Sequence, residues 1–219
     1  VGAMPATLAA WYELAFAGLL QRATSGADAR DGSSSVASGA HLDALLSEAL
    51  VRAHLDGRRR VDAVTLKDDA RRLDSRTYGA ASGAVLTQLR ERCLSRQLPL
   101  LSALTADPIE LSAAHHSLQE YLVARAIRDE AAQLPLKPWE LTPWYANVLR
   151  IGASMGEPFR QGLLNAAGLE AAGVAGTRTL DLRAKLGASQ RTAIGAISLL
   201  LRSDTFTALD LTGCARATA

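Results

Sequence analysis

The chain has 219 residues, 48% of them hydrophobic, which leaves room for a buried core and excludes wholesale disorder. A formal net charge of +2 is too small to imply a nucleic-acid or acidic-surface partner by itself. Two cysteines far apart, Cys93 and Cys214, are no disulfide framework and suit a reducing compartment, and no apolar run approaches the roughly 20 residues a bilayer span needs.

In chain order, Leu8, Trp11, Tyr12, Ala15 and Leu19 have helical spacing and predict a first amphipathic helix. Residues 25–39 are mostly Gly, Ser, Ala and Asp, without an apolar period, and read as a surface loop. Leu42, Leu45, Leu46, Ala49, Leu50 and Ala53 form one continuous face of a second helix, which Gly57 and the run Arg58, Arg59, Arg60 end. Thr65 with Asp68 is a capping signal before Leu66, Ala70 and Leu73. A further helix is expected over residues 85–94. The apolar residues 98–104, the Asp107-Pro108 turn and the alternation of Ile109, Leu111, Ala113 and His115 predict two short strands. Helices followed by a small hairpin is the order of a winged helix.

Ser117 and Glu120 spell a capping box, with Leu118, Tyr121, Leu122 and Ala126 as the buried face of the helix that follows. Three prolines and Trp139 between residues 134 and 143 predict an ordered connector. Trp139 and Trp144 either pin that connector to a core or form a partner surface. Trp144, Val148, Ile151 and Met155 mark another helix, stopped by Gly156 and Pro158, and residues 159–164 add a turn or two. Residues 166–176 read as a loose joint. In the tail, Leu180-Asp181-Leu182 returns as Leu209-Asp210-Leu211, 29 positions later, with helically spaced Ile194, Ile197 and Leu201 between the copies. Phe206, Leu209, Leu211 and Cys214 fit L-x-x-L-x-L-x-x-C, the leucine-rich-repeat pattern of alternating strand and helix.

The segment His115-His116-Ser117-Leu118-Gln119-Glu120-Tyr121-Leu122-Val123-Ala124 resembles a motif at the end of the winged helix in NACHT-type signalling ATPases, roughly F-x-H-x-S-F-Q-E-Y-L-A-A. Ser117, Gln119, Glu120, Tyr121, Leu122 and Ala124 match directly, His115 falls on the family histidine, and Ala113 departs from the usual phenylalanine. Trp11-Tyr12-Glu13-Leu14 is similar to the helix before the winged domain. The resemblance implies a mainly α chain: a winged-helix domain with its preceding helix over residues 1–128, a helical connector over 129–170, and the first leucine-rich repeats over 171–219. It implies a cytoplasmic regulatory and interaction region rather than an enzyme. The winged-helix order leaves a nucleic-acid-binding module as the alternative. Partners are other domains of the same chain and self-oligomers of the complete protein, with neither membrane nor nucleic acid expected. No Gly-Lys-Ser or Gly-Lys-Thr triplet occurs, so no P-loop is present and ATP or ADP is expected in an upstream core. His115 inherits from the family the role of a nucleotide-phosphate sensor in the complete protein; its plain alternative is a hairpin residue.

Other motifs read more blandly. His115 and His116 lack further ligands at metal-binding spacing. Gly152-Ala153-Ser154-Met155-Gly156 matches G-x-S-x-G, but it follows a helical stripe where a nucleophile elbow needs a strand, so no catalytic residue is assigned. Arg58, Arg59, Arg60, Arg71 and Arg72 read as a solvated face near a helix end in preference to a nucleic-acid patch.

Overall fold

A computed structural model describes residues 4–24, 39–73, 82–96, 101–106, 109–166, 179–181, 191–202 and 208–210. The chain is mainly helical and divides into two compact units, residues 1–123 and 124–219.

The first unit begins with α1 (Leu8–Thr24) and α2 (Gly39–Leu55). Thr7 caps α1, its hydroxyl accepting from the Ala10 amide at 3.2 Å. The buried stripe of α1 is Ala9, Phe16 and Leu19, joined by half-buried Tyr12, while Trp11 and Leu14 lie 46% and 59% exposed. This corrects the expected face, which placed Trp11 and Ala15 inward. The helix is apolar almost all round, so spacing alone could not choose a side; stacking of Tyr12 on Tyr121, centroids 5.6 Å apart, goes with the observed one. On α2 the expected face is the observed one: Leu42, Leu45, Leu46, Ala49, Leu50 and Ala53 are all buried. The helix closes in a Schellman turn. Gly57 at φ +74 donates to the His54 carbonyl at 2.9 Å, and the next amide, of Arg58, donates to the Ala53 carbonyl at 2.7 Å.

After that turn comes β1 (Arg60–Asp62), a strand the sequence does not announce because Val61 is its one apolar residue. Asp62 then caps α3 (Ala63–Leu73), its carboxylate accepting from the Thr65 amide at 2.7 Å. The cap is thus three residues earlier than the Thr65 signal suggests. That bond is the main reason the Asp62 carboxyl sits below its usual range. Next come α4 (Ser82–Leu94), β2 (Leu101–Ala106) and β3 (Ile109–Ala113). The three strands form one antiparallel sheet in the order β1-β3-β2, with Val61 and Ala103 both opposite Leu111. The register shifts between Ala103 and Thr105. Then α5 (His116–Arg128) begins. Its start puts Ser117 inside the first turn, so the expected capping box does not open this helix. The division between the units falls inside α5.

In the second unit α5 ends in another Schellman turn, this one on Glu130 at φ +56, with Ala131 donating to the Ala126 carbonyl at 2.8 Å. The proline-rich connector is ordered into two single 3-10 turns, Pro138–Glu140 and Pro143–Tyr145, that bury Pro138, Leu141 and Tyr145 and leave Trp139 and Trp144 half-buried. Then come α6 (Ala146–Ala153) and α7 (Glu157–Ala166). α6 ends before Gly156, as the sequence leads one to expect, and Pro158 then lies in the first turn of α7, where a proline removes no intrahelical bond. Glycine makes this packing possible. A Cβ on Gly152 would run into the Phe159 ring, and one on Gly162 into the Ile127 carbonyl of α5.

The tail holds β4 (Thr179–Asp181), α8 (Arg191–Leu201) and β5 (Ala208–Asp210). β4 and β5 pair in parallel, Leu180 opposite Leu209 and Asp181 opposite Asp210. The two copies therefore lie side by side in the register a 29-residue period dictates, each strand beginning one residue before its sequence signal. α8 buries Ala193, Ala196, Ile197 and Leu200 and packs on α6, α7 and the Pro138–Glu140 turn. Of the expected loop at 25–39 only Gly39 is described, as the first residue of α2, and of the joint at 166–176 only Ala166, as the last of α7; Asp107-Pro108, Leu182, Phe206, Leu211 and Cys214 also lie outside the described residues.

Candidate functional site at the start of helix α5

The segment that resembles the NACHT motif divides by environment. His115 stands exposed at the corner between β3 and α5, and its carbonyl accepts from the Leu118 amide at 3.0 Å. From Leu118 to Ala124 every residue is buried. Gln119 is fully buried, and its Nε2 donates to the Leu50 carbonyl at 3.0 Å and the Arg58 carbonyl at 3.1 Å. It thereby fixes the last turns of α2 and the approach to β1 against α5. Tyr121, also fully buried, makes the stack on Tyr12. These motif residues hold α1, α2 and α5 together, and His115 is left facing outward.

Two carbonyls are acceptors only, so the Gln119 amide nitrogen must face them and its Oε1 must face His116. Oε1 lies 3.0 Å from His116 Nδ1, which therefore carries the proton. His116 Nε2 points toward Glu120, 3.8 Å from its Oε1. On the other face His116 stacks on His54, ring centroids 5.3 Å apart. His54 is fully buried, and burial away from water, with the His116 charge second, pushes its pKa down to about 4. Sequence reasoning missed His54. Its signal was position: it follows Leu50 by one helical turn, at the edge of the apolar face of α2.

A second polar cluster ties α2 to α3. Asp69 is fully buried and pairs with both Arg52 and Arg72, and Arg72 also meets Glu48 at 2.9 Å. Around the arginine run, Arg58 pairs with Asp56 at 2.9 Å and Asp62 at 3.4 Å, Arg60 with Glu110 at 3.5 Å, and Arg71 with Asp68 at 3.4 Å.

The remaining reactive residue types have structural settings. Ser154 lies just past the end of α6, its hydroxyl donating to the Ile151 carbonyl at 2.6 Å, with a helix before it and not the strand that a nucleophile elbow requires. Cys93 is buried, and burial raises its pKa to about 12, which leaves no thiolate at neutral pH. Among the described residues no group of three or more His, Cys, Asp or Glu is placed to hold a metal ion, and no helix is long and apolar enough to cross a membrane. No family model, curated protein or solved structure matches this chain.

Proposed function

We propose that this chain is a regulatory and interaction region of a NACHT-type signalling ATPase, a winged helix followed by a helical segment and the start of a leucine-rich repeat. In this reading it couples the nucleotide state of an ATPase core elsewhere in the polypeptide to repeats that sense a ligand. The observation that carries the reading is the parallel pairing of β4 with β5, Leu180 opposite Leu209, at the repeat period and with α8 between them. The sequence α2, β1, α3, α4, β2, β3 with sheet order β1-β3-β2 supports the winged helix. The outward position of His115 beside inward-facing Gln119 and Tyr121 supports a sensor mounted on a structural frame.

The sensor acts by differential affinity. A histidine donating to a nucleotide phosphate in the closed state stabilises that state and nothing else. In the complete polypeptide with ADP, His115→Leu shifts the population toward open, self-associating protein in the absence of stimulus. Analytical ultracentrifugation reads this directly, and an unchanged distribution would refute the sensor role. The chain alone binds neither ATP nor ADP, since no P-loop is present; micromolar heat of binding in a Mg-ATP titration would contradict this. The nucleic-acid alternative is separated by filter binding over a salt series. Because Arg58, Arg60, Arg71 and Arg72 already face carboxylates, no steep salt slope is expected.

A further inference from the structure

The outer face of α1 carries large apolar side chains in the open. Trp11 and Leu14 are 46% and 59% exposed, and Thr7, Ala15 and Ala17 are exposed beside them. Thr7 stands at the first turn, its carbonyl accepting from the Trp11 amide at 3.2 Å. Thr7, Trp11, Leu14 and Gly18 follow one another at intervals of four, three and four residues. That is the spacing of a helix–helix seam, in which each side chain enters a gap between those of a second helix. The seam lies on the side of α1 away from the buried Phe16 and Leu19, and none of its four residues is charged. Its two large side chains stand next to each other, and beyond them is a hollow, since a Cβ on Gly18 would meet nothing within 4 Å. One helix therefore offers both a ridge and a gap.

We propose that this seam pairs with the same seam of a second copy of the chain, the two α1 helices running antiparallel about a two-fold axis, in a weak and reversible dimer. A two-fold contact needs a surface complementary to itself. Antiparallel pairing places Trp11 opposite Leu14 of the partner subunit and Thr7 opposite Gly18 of the partner subunit, so each layer joins a larger side chain to a smaller one. Parallel pairing would set two indoles in one layer and two glycines in another, the first crowded and the second empty. Antiparallel helices also bring opposite dipole ends together. The area sets the strength. At ordinary side-chain areas of roughly 200–250 Å², Trp11 and Leu14 leave roughly 250 Å² open on each copy. With the short residues beside them a symmetric pair covers on the order of 800 Å², below the roughly 1,200–2,000 Å² of stable complexes. The inference uses neither His115 nor a nucleotide, so a monomeric result would leave the proposed function standing.

The test is sedimentation equilibrium of the whole chain over about a hundredfold range of concentration reaching roughly 500 µM. A monomer–dimer equilibrium is expected, with a Kd on the order of 100 µM. Leu14→Glu, a surface change that puts two carboxylates into the seam, should abolish the dimer. Glu13→Lys, on the same helix but off the seam, should leave the Kd within about twofold. Thermal unfolding at low concentration should show both variants folded. Thr7→Asp combined with Gly18→Lys tests the direction of pairing. Aspartate is itself a capping residue, and lysine suits a helix better than glycine, so the monomer keeps α1. In the antiparallel pair each new carboxylate faces a new ammonium, and the double variant should dimerise several-fold more tightly than either single variant, an advantage that salt removes. Parallel helices would oppose like charges and make the double variant the weaker. The proposal is overturned if the chain stays monomeric across the range, if Leu14→Glu changes nothing, if association runs past the dimer without closing, or if the double variant is the weaker. A monomer that co-sediments with phospholipid vesicles, and loses this with Leu14→Glu, would also overturn it by giving the face to lipid.

Discussion

The two units keep different things in their interiors. Among the described residues, the first buries His41, His54, Asp69, Gln119 and Glu120, whereas the second buries one polar residue, Thr192. The first is held by specific polar contacts between its helices: Gln119 on two carbonyls, Asp69 between two arginines, two stacked imidazoles. The second is held by close approach, with Gly152 against Phe159 and Gly162 against the Ile127 carbonyl. Polar contacts define a geometry but respond to charge and pH; close packing responds to volume. The first unit should therefore be the one that substitutions of charge and changes of pH disturb, and the second the one that added methyl groups disturb.

The largest effect expected is at Asp69. Asp69→Ala leaves Arg52 and Arg72 facing one another without their shared carboxylate. Breaking such a buried pair costs about 3–5 kcal/mol, and partial exposure of both guanidinium groups reduces this to about 2–4 kcal/mol. Urea unfolding measures it; a loss below about 1 kcal/mol would mean that the pairing matters little.

Acid is next. The His54 pKa is lowered on folding, from 6.5 to about 4. The unfolded chain therefore binds the proton more tightly, and stability falls as pH drops through this window. The contribution is intact above pH 6.5 and is lost progressively toward pH 4, by up to about 3 kcal/mol. His116 stacks on this imidazole and Glu120 lies 3.8 Å from His116, so the decisive comparison is His54→Gln, whose side chain does not titrate. Thermal unfolding at pH 7 and pH 4.5 should show a smaller difference for that variant than for wild type. Equal differences would place the acid sensitivity elsewhere.

In the second unit, Gly162→Ala should cost about 1–3 kcal/mol, since the new methyl meets backbone and neither helix can yield without repacking. A neutral result by thermal unfolding would remove the contrast between the units. The smallest effect is a gain. Glu130 ends α5 in the left-handed region at φ +56, where a side chain is disfavoured, so Glu130→Gly should stabilise by about 1 kcal/mol.

How much of this was legible follows the strength of each local signal. The face of α2 was readable because burial imposed an unbroken period on it, and β3 because Leu111 and Ala113 are buried on alternate residues. The 29-residue repeat was readable because two short sequences recur almost unchanged. β1 was not, since a three-residue edge strand with one apolar side chain has no period to detect. The cap of α3 was read three residues late because Asp62 and Thr65 are both capping residue types, and only the fold selects between them. Of the candidate site, His115 and the motif were visible, but His54 was hidden. A histidine at the margin of an apolar helix face looks like a solvated residue until a second helix covers it.

In the tail, recurrence in sequence becomes adjacency in space, and the proposed leucine-rich repeat stands or falls there. Nuclear Overhauser contacts between the backbone protons of residues 179–181 and 208–210 test it directly. The account gives cross-strand contacts of a parallel pair centred on Leu180 and Leu209, with helical contacts confined to the intervening segment around Arg191–Leu201. Helical contacts at Leu180 or Leu209, or strands with no contact between them, would contradict the repeat and the receptor-like architecture inferred from it.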